Sequence, residues 1–233
     1  MKEMNKQKNV MINLNQAKDK SEVRIMIDKF CLFLTNKIRQ EIPEIDDEKA
    51  EIINYGLQNI VGEIPKFFIL IGVAWILGVL KETLITFFII FPYRIFSGGF
   101  HLKTHIGCII TTILFYMLPA VLAKTIVLVP IIKYLIVSIV WIFGMIMIKL
   151  YAPADTENVP ILRKKERRQK QILSYIVFTI GLIISVIIKN NEISNIIIFG
   201  YFIQTLTITR LAYIITNNKY GYEVYNNTSS QTV

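Results

Sequence analysis

A chain of 233 residues can form one domain or two small ones. Hydrophobic residues make up 53% and charged residues 18%; a soluble globule carries about 25% charged residues, so composition points to lipid and away from an ordinary soluble enzyme. The net charge of +9 reads as membrane orientation, not nucleic-acid binding, and two cysteines exclude a disulfide framework.

Residues 1–20 mix Lys, Asn and Gln without periodicity or an apolar run, so a flexible polar tail is expected and no signal peptide. From Ser21, a helix cap, Val23, Ile27, Phe30, Leu34 and Ile38 recur every three or four residues, the pattern of an amphipathic helix. Arg24, Asp28, Lys29, Lys37 and Arg39 keep that helix from spanning, and Cys31 belongs near its apolar side. Beyond Pro43 an acidic turn leads into a second helix, Glu48–Val61, with acid in its first turn as the helix dipole favours. Residues 21–63 are expected to lie along the membrane surface or cover the site.

A polytopic, all-α membrane domain is expected over 64–216, with a polar tail at 217–233. A crossing takes about 20 apolar residues, and about six segments meet or approach that length. They fall at Ile64–Leu80, Leu84–Phe100, Ile106–Ala123, Ile126–Ile148, Ile172–Ile188 and Ile193–Ile215. The first two are short and parted only by Lys81-Glu82-Thr83, so a re-entrant hairpin is an alternative there. Lys133 and Arg210 fall inside spans, where a charge needs a polar surrounding or must snorkel. With a cytoplasmic N-terminus, six spans put Pro92–His105, Lys149–Gln171 and the C-terminal tail inside, and with them most of the Lys and Arg. Outside remain Lys81, Lys124 and Lys189, an asymmetry that satisfies the positive-inside rule.

The stretch Pro92–Cys108, PYRIFSGGFHLKTHIGC, gathers polar chemistry in an otherwise apolar chain. It holds both histidines, one cysteine, Arg94 and the pair Gly98-Gly99. A cysteine with a nearby histidine is a candidate thiolate–imidazole pair for covalent acyl transfer. His101 and Cys108 are seven residues apart; on one unbroken helix they stand about 10 Å apart along the axis, too far for a hydrogen bond. Gly98-Gly99 can break the span, which would leave His101 at the end of one helix and Cys108 in the first turns of the next. The bland alternative is an interfacial histidine beside a small buried thiol.

His105 is a rival base, and His101, His105 and Cys108 at i, i+4 and i+7 could together bind zinc on one helical face. Arg94 is a snorkelling anchor or a carboxylate binder, for a substrate or for Asp155 or Glu157. The loop Tyr151–Pro160 concentrates oxygen-bearing side chains on the same side as the His/Cys turn. The run Arg163–Lys170 is a lipid-facing basic patch, or a dock in which Arg163, Lys164 and Lys165 hold an acidic peptide tail.

R-x3-G-G-x-H-x6-C (Arg94, Gly98, Gly99, His101, Cys108), followed after two spans by YAPADTENVP and a basic run, resembles the accessory gene regulator protein B family. These are membrane cysteine endopeptidases of Gram-positive bacteria that process a quorum-sensing propeptide. The likeness runs from about residue 30 to about 215; Leu102 departs from it where a small residue is common, and the N-terminal tail is long. The resemblance implies Cys108 as nucleophile and His101 as base, with Arg94 and Gly99 at matching supporting positions. It implies removal of the propeptide's C-terminal tail through an acyl-enzyme thioester, then closure of a thiolactone or lactone. No cofactor or metal is called for; the partners would be the autoinducer propeptide, lipid and a second copy in a homodimer. Asp155 is a candidate third member orienting His101. The readings in reserve are a small peptide transporter lined by Lys133 and Arg210, the zinc hydrolase, and a noncatalytic scaffold.

Overall fold

The computed structural model describes residues 22–42, 44–102, 105–157 and 160–229; the N-terminal tail and the Ser21 cap lie outside them. The described residues are α-helical apart from short turns and one isolated β-bridge. The helices are α1 (Glu22–Glu41), α2 (Asp47–Ile76), α3 (Leu80–Ser97), α4 (His105–Thr125), α5 (Pro130–Tyr151), α6 (Lys164–Ile187), α7 (Asn191–Thr207), α8 (Arg210–Ile215) and α9 (Gly221–Ser229). The chain divides into two compact units, Met1–Phe68 and Ile69–Val233.

In the first unit the buried stripe of α1 is set by Cys31 and Thr35, not by Phe30, which is half exposed. Thr35 Oγ1 donates to Cys31 O at 2.9 Å and Arg39 reaches Asp47 across the turn at 2.6 Å. Asp46 caps α2 by accepting from the Lys49 N–H at 2.8 Å. That hydrogen bond is the main reason its carboxyl is held below its ordinary value of 3.8. The expected helix Glu48–Val61 and the first apolar span form one continuous element, because α2 runs through Pro65. Pro65 forfeits only its own bond to Val61 O, which membrane and packed helices tolerate.

Among the described residues four helical stretches have the length and apolar composition to cross a bilayer: Lys49–Ile76, Gly107–Thr125, Pro130–Tyr151 and Lys164–Ile187. The other two expected spans fall short for separate reasons. α3 has 18 residues and carries Lys81, Glu82 and Arg94. α7 has 17 residues and ends at Thr207, so the expected run Ile193–Ile215 is divided by a turn at Ile208–Thr209. A 17-residue helix is about 25 Å long, less than the ~30 Å hydrocarbon core.

α7 is the centre of the second unit and packs on α3, α4, α5 and α6. Its buried faces carry Ile196, Ile197, Ile198 and Tyr201 together with Ser194, Asn195, Gln204 and Thr205. Small residues let aromatic rings in. Phe178 packs on Gly144 and Tyr201 on Gly181, so closely that a Cβ at either glycine would collide with the ring. Tyr93 completes the cluster, 5.2 Å from the Phe178 ring and 5.1 Å from the Tyr201 ring. At the end of the bundle where α5 begins, Asn195 Nδ2 donates to Ile126 O at 2.7 Å. At the other end, α3 and α7 finish beside the loop after α5, and there the candidate site is built.

Candidate active site

α3 stops at Ser97 because the next two residues leave helical space. Gly98 has φ 73° and Gly99 φ 143°, a region that L side chains rarely enter. Both also lack room for a side chain: a Cβ on Gly98 would strike Ala154 O, and one on Gly99 would lie 2.7 Å from Thr207 Oγ1 and 3.2 Å from Arg94 Nη1. The turn is pinned from two directions. Gly99 N–H donates to Ala154 O at 2.9 Å and Ala154 N–H donates to Ser97 O at 2.8 Å, a short parallel bridge to the loop after α5. Phe100 N–H then donates to Thr207 O, the last residue of α7, at 3.4 Å.

Gln204, fully buried on α7, ties these pieces together. Its Nε2 donates to Ser97 Oγ and to Gly98 O, each at 2.8 Å, while its Oε1 accepts from Arg94 Nη1 at 3.2 Å. Arg94 also donates from Nη2 to Phe100 O at 3.4 Å and lies 5.0 Å over the Phe115 ring of α4. The expected break at Gly98-Gly99 is present, ahead of His101. His101 is exposed in the segment after the glycines, outside any helix, and α4 opens at His105. Cys108 lies in the first turn of α4, partly buried, and its carbonyl accepts from Thr112 Oγ1 at 2.8 Å. Cys31, the other thiol, is fully buried, and burial followed by the Asp28 charge pushes it up; it is suited to packing rather than nucleophilic attack.

His101 is not on the helix that carries Cys108, so the single helical face required of the zinc reading is not formed. Among the described residues no three His, Cys, Asp or Glu side chains cluster as metal ligands; the His105 side chain lies outside them.

Asp155 is buried, and its partners come from its own loop, α6 and the C-terminal segment. Its Oδ2 accepts from the Ile161 and Tyr222 N–H groups, both at 2.9 Å, and pairs with Arg167 Nη1 at 3.2 Å. Tyr213 Oη donates to the Asp155 carbonyl at 3.0 Å. Arg167 is thus drawn out of the basic run: it donates to Pro153 O at 3.3 Å and stacks 4.3 Å over Tyr222. Arg163, Lys164, Lys165 and Arg168 remain exposed at the start of α6. Positive charge there is opposed by the helix dipole, so helix stability does not account for it. Lys133 is buried in the first turn of α5, whereas Arg210 is exposed just beyond α7 and 3.9 Å from Glu223. The two charges lie at opposite ends of the bundle.

Sequence reading missed Gln204, Thr207 and the separate role of Arg167. The signal for Gln204 was available, since it interrupts the apolar run of α7 as Arg210 interrupts its continuation.

A family profile described as accessory gene regulator B matches residues 32–208. An AgrB-like protein of Listeria monocytogenes is 29% identical over 187 residues, covering 77% of this chain and 87% of the relative. An accessory gene regulator protein B of Staphylococcus epidermidis is 28% identical over 183 residues, covering 78% and 88%. No solved structure matches.

Proposed function

Because this chain belongs to the accessory gene regulator B family of membrane proteins, with the role in quorum-sensing propeptide processing that membership implies, we propose that it is a cysteine endopeptidase. The observation that supports the reading is the Gly98–Gly99 break: it ends α3 ahead of His101, which lies outside any helix, while Cys108 follows in the first turn of α4. His101 takes the Cys108 proton, and Sγ attacks the carbonyl of a peptide bond near the propeptide's C-terminal end. Negative charge is favoured in the first turn of a helix, where Cys108 lies. The C–N bond breaks, the proton passes from His101 to the leaving amine, and the acidic tail departs from a thioester on Cys108.

An internal Cys or Ser side chain of the propeptide then attacks the thioester. Its proton passes through His101 to the Cys108 thiolate, and the product is a thiolactone or lactone ring. Proximity favours this internal nucleophile, and apolar surroundings keep water from competing. Arg94 and Gly99 support the turn, and Asp155 supports it from the loop after α5. Arg163, Lys164 and Lys165 offer an exposed cationic surface to the acidic tail, on the cytoplasmic side together with both termini. A homodimer in the membrane is part of this reading.

The test is co-expression with a propeptide bearing a leader, an internal nucleophile and an acidic tail, read by mass spectrometry. Tail release is lost in Cys108→Ala and His101→Ala and kept in His105→Ala. Tail release surviving Cys108→Ala overturns the reading.

A further inference from the structure

The segment 209–229 lies beyond the residues matched by the family profile, which ends at 208, yet it supplies much of what holds the turn ahead of His101. Two of that turn's N–H groups donate to backbone acceptors, Ala154 O and Thr207 O. Both are braced from the C-terminal side. Next to Ala154, Asp155 receives the Tyr222 N–H on Oδ2 and the Tyr213 hydroxyl on its carbonyl. Next to Thr207, the Ile208 carbonyl receives the Tyr220 hydroxyl at 2.9 Å. Tyr220 stacks between Tyr213, at 4.0 Å, and Tyr151 at the end of α5, at 5.9 Å. Burial pushes the Tyr220 hydroxyl up, so it stays a donor across the accessible pH range. Gly221 presses against Thr156 O so tightly that any Cβ would force the two backbones apart.

We propose that Tyr220–Tyr222 is a positioning strap that fixes the Ala154–Asp155 loop and the end of α7, and through them the turn that sets His101 relative to Cys108. Tyr222 N–H, Gly221 and the Tyr220 hydroxyl are its working parts, and none of them touches the reacting atoms. Loss of the strap leaves the helices folded and frees the turn. The proposal rests on the His101–Cys108 reading, and its test separates the two.

Full-length protein in detergent is treated with iodoacetamide across a pH series, and alkylation is followed at Cys108 by site-resolved mass spectrometry. Hydrogen exchange is measured in parallel at the Gly99 and Phe100 amides. Gly221→Ala and Tyr222→Pro are compared with wild type, His101→Ala and Tyr225→Ala, a change on the exposed side of α9. Pro suits the first turn of a helix and removes the N–H. In Gly221→Ala and Tyr222→Pro, Gly99 and Phe100 exchange faster and the Cys108 profile moves to alkaline pH, as in His101→Ala. Its rate at neutral pH falls about tenfold or more, as misplacement by a fraction of an ångström to an ångström allows.

Tyr225→Ala behaves as wild type. Faster exchange with an unmoved alkylation profile means that the strap is structural only and overturns the proposal, as does the same shift in Tyr225→Ala. A shift in His101→Ala but in neither strap variant overturns the strap alone. No shift in His101→Ala overturns the dyad, and the strap's positioning role with it.

Discussion

Gln204 has no contact with a reacting group in this account, yet three groups at the site depend on its amide. Gln204→Ala strips partners from Arg94, Ser97 and the Gly98 carbonyl at once. Each buried polar group left unpaired costs about 1–3 kcal/mol, enough to remove most tail release and to lower the melting temperature in detergent. Gln204→Glu keeps the acceptor for Arg94 but loses both donated bonds, so it restores little; activity equal to wild type in either variant contradicts the clamp. Arg94→Lys is not conservative here. Lysine cannot reach Gln204, the Phe100 carbonyl and the Phe115 face together, since one ammonium replaces a planar fork. Much of this residue-scale detail was legible early. The glycine pair, the cysteine and the loop histidine stand out in an apolar chain, and glycines at a span end announce a break. Gln204 does interrupt an apolar run, but its role and that of Arg167 were not legible, because they depend on which helix ends meet, and that is not local information.

At the scale of elements, α7 explains why the bundle tolerates a polar site. It is too short to cross a bilayer alone, is surrounded by α3, α4, α5 and α6, and spends its polar residues on those neighbours. Hydropathy ran Ile193–Ile215 together because Ile208 and Leu211 keep the apolar average up, while the break at Ile208–Thr209 comes from a turn with Thr209 capping α8. α2 errs the other way: the expected helix Glu48–Val61 and the span from Ile64 were read as separate, and one helix runs through both. Phe178, wholly buried between Tyr93 and Tyr201, is the ring on which α5, α6 and α7 agree. Phe178→Ala is expected to cost about 3 kcal/mol or more, seen as a lowered melting temperature, and an unchanged one contradicts that packing. In the first unit, Asp46 makes the start of α2 pH-sensitive. Its carboxyl is held below the ordinary 3.8, so the cap's contribution is present above that value and is lost as pH falls through the lower folded value. The Lys49 amide protection factor should hold down to the usual carboxylate range and fall below it; constant protection in strong acid contradicts the cap.

For the whole molecule, four long apolar helices and two shorter, more polar ones divide the work. The long helices leave most of their surface unburied within the chain, and the short ones bring their ends together where the loop after α5, the glycine turn and the C-terminal strap converge. Composition alone announced the membrane; that the tail after Asn217 returns to the loop was not legible, because a polar sequence gives no sign of what it packs against. The central claim is that Cys108 carries an acyl intermediate. The most direct measurement uses a propeptide whose internal nucleophile is replaced by alanine, so that ring closure is blocked after tail release. Intact-mass and peptide analysis should then find the tail-less propeptide joined to Cys108 through a hydroxylamine-labile thioester, absent in Cys108→Ala and scarce in His101→Ala. Tail release with no adduct at Cys108, or an adduct that persists in Cys108→Ala, would contradict the account.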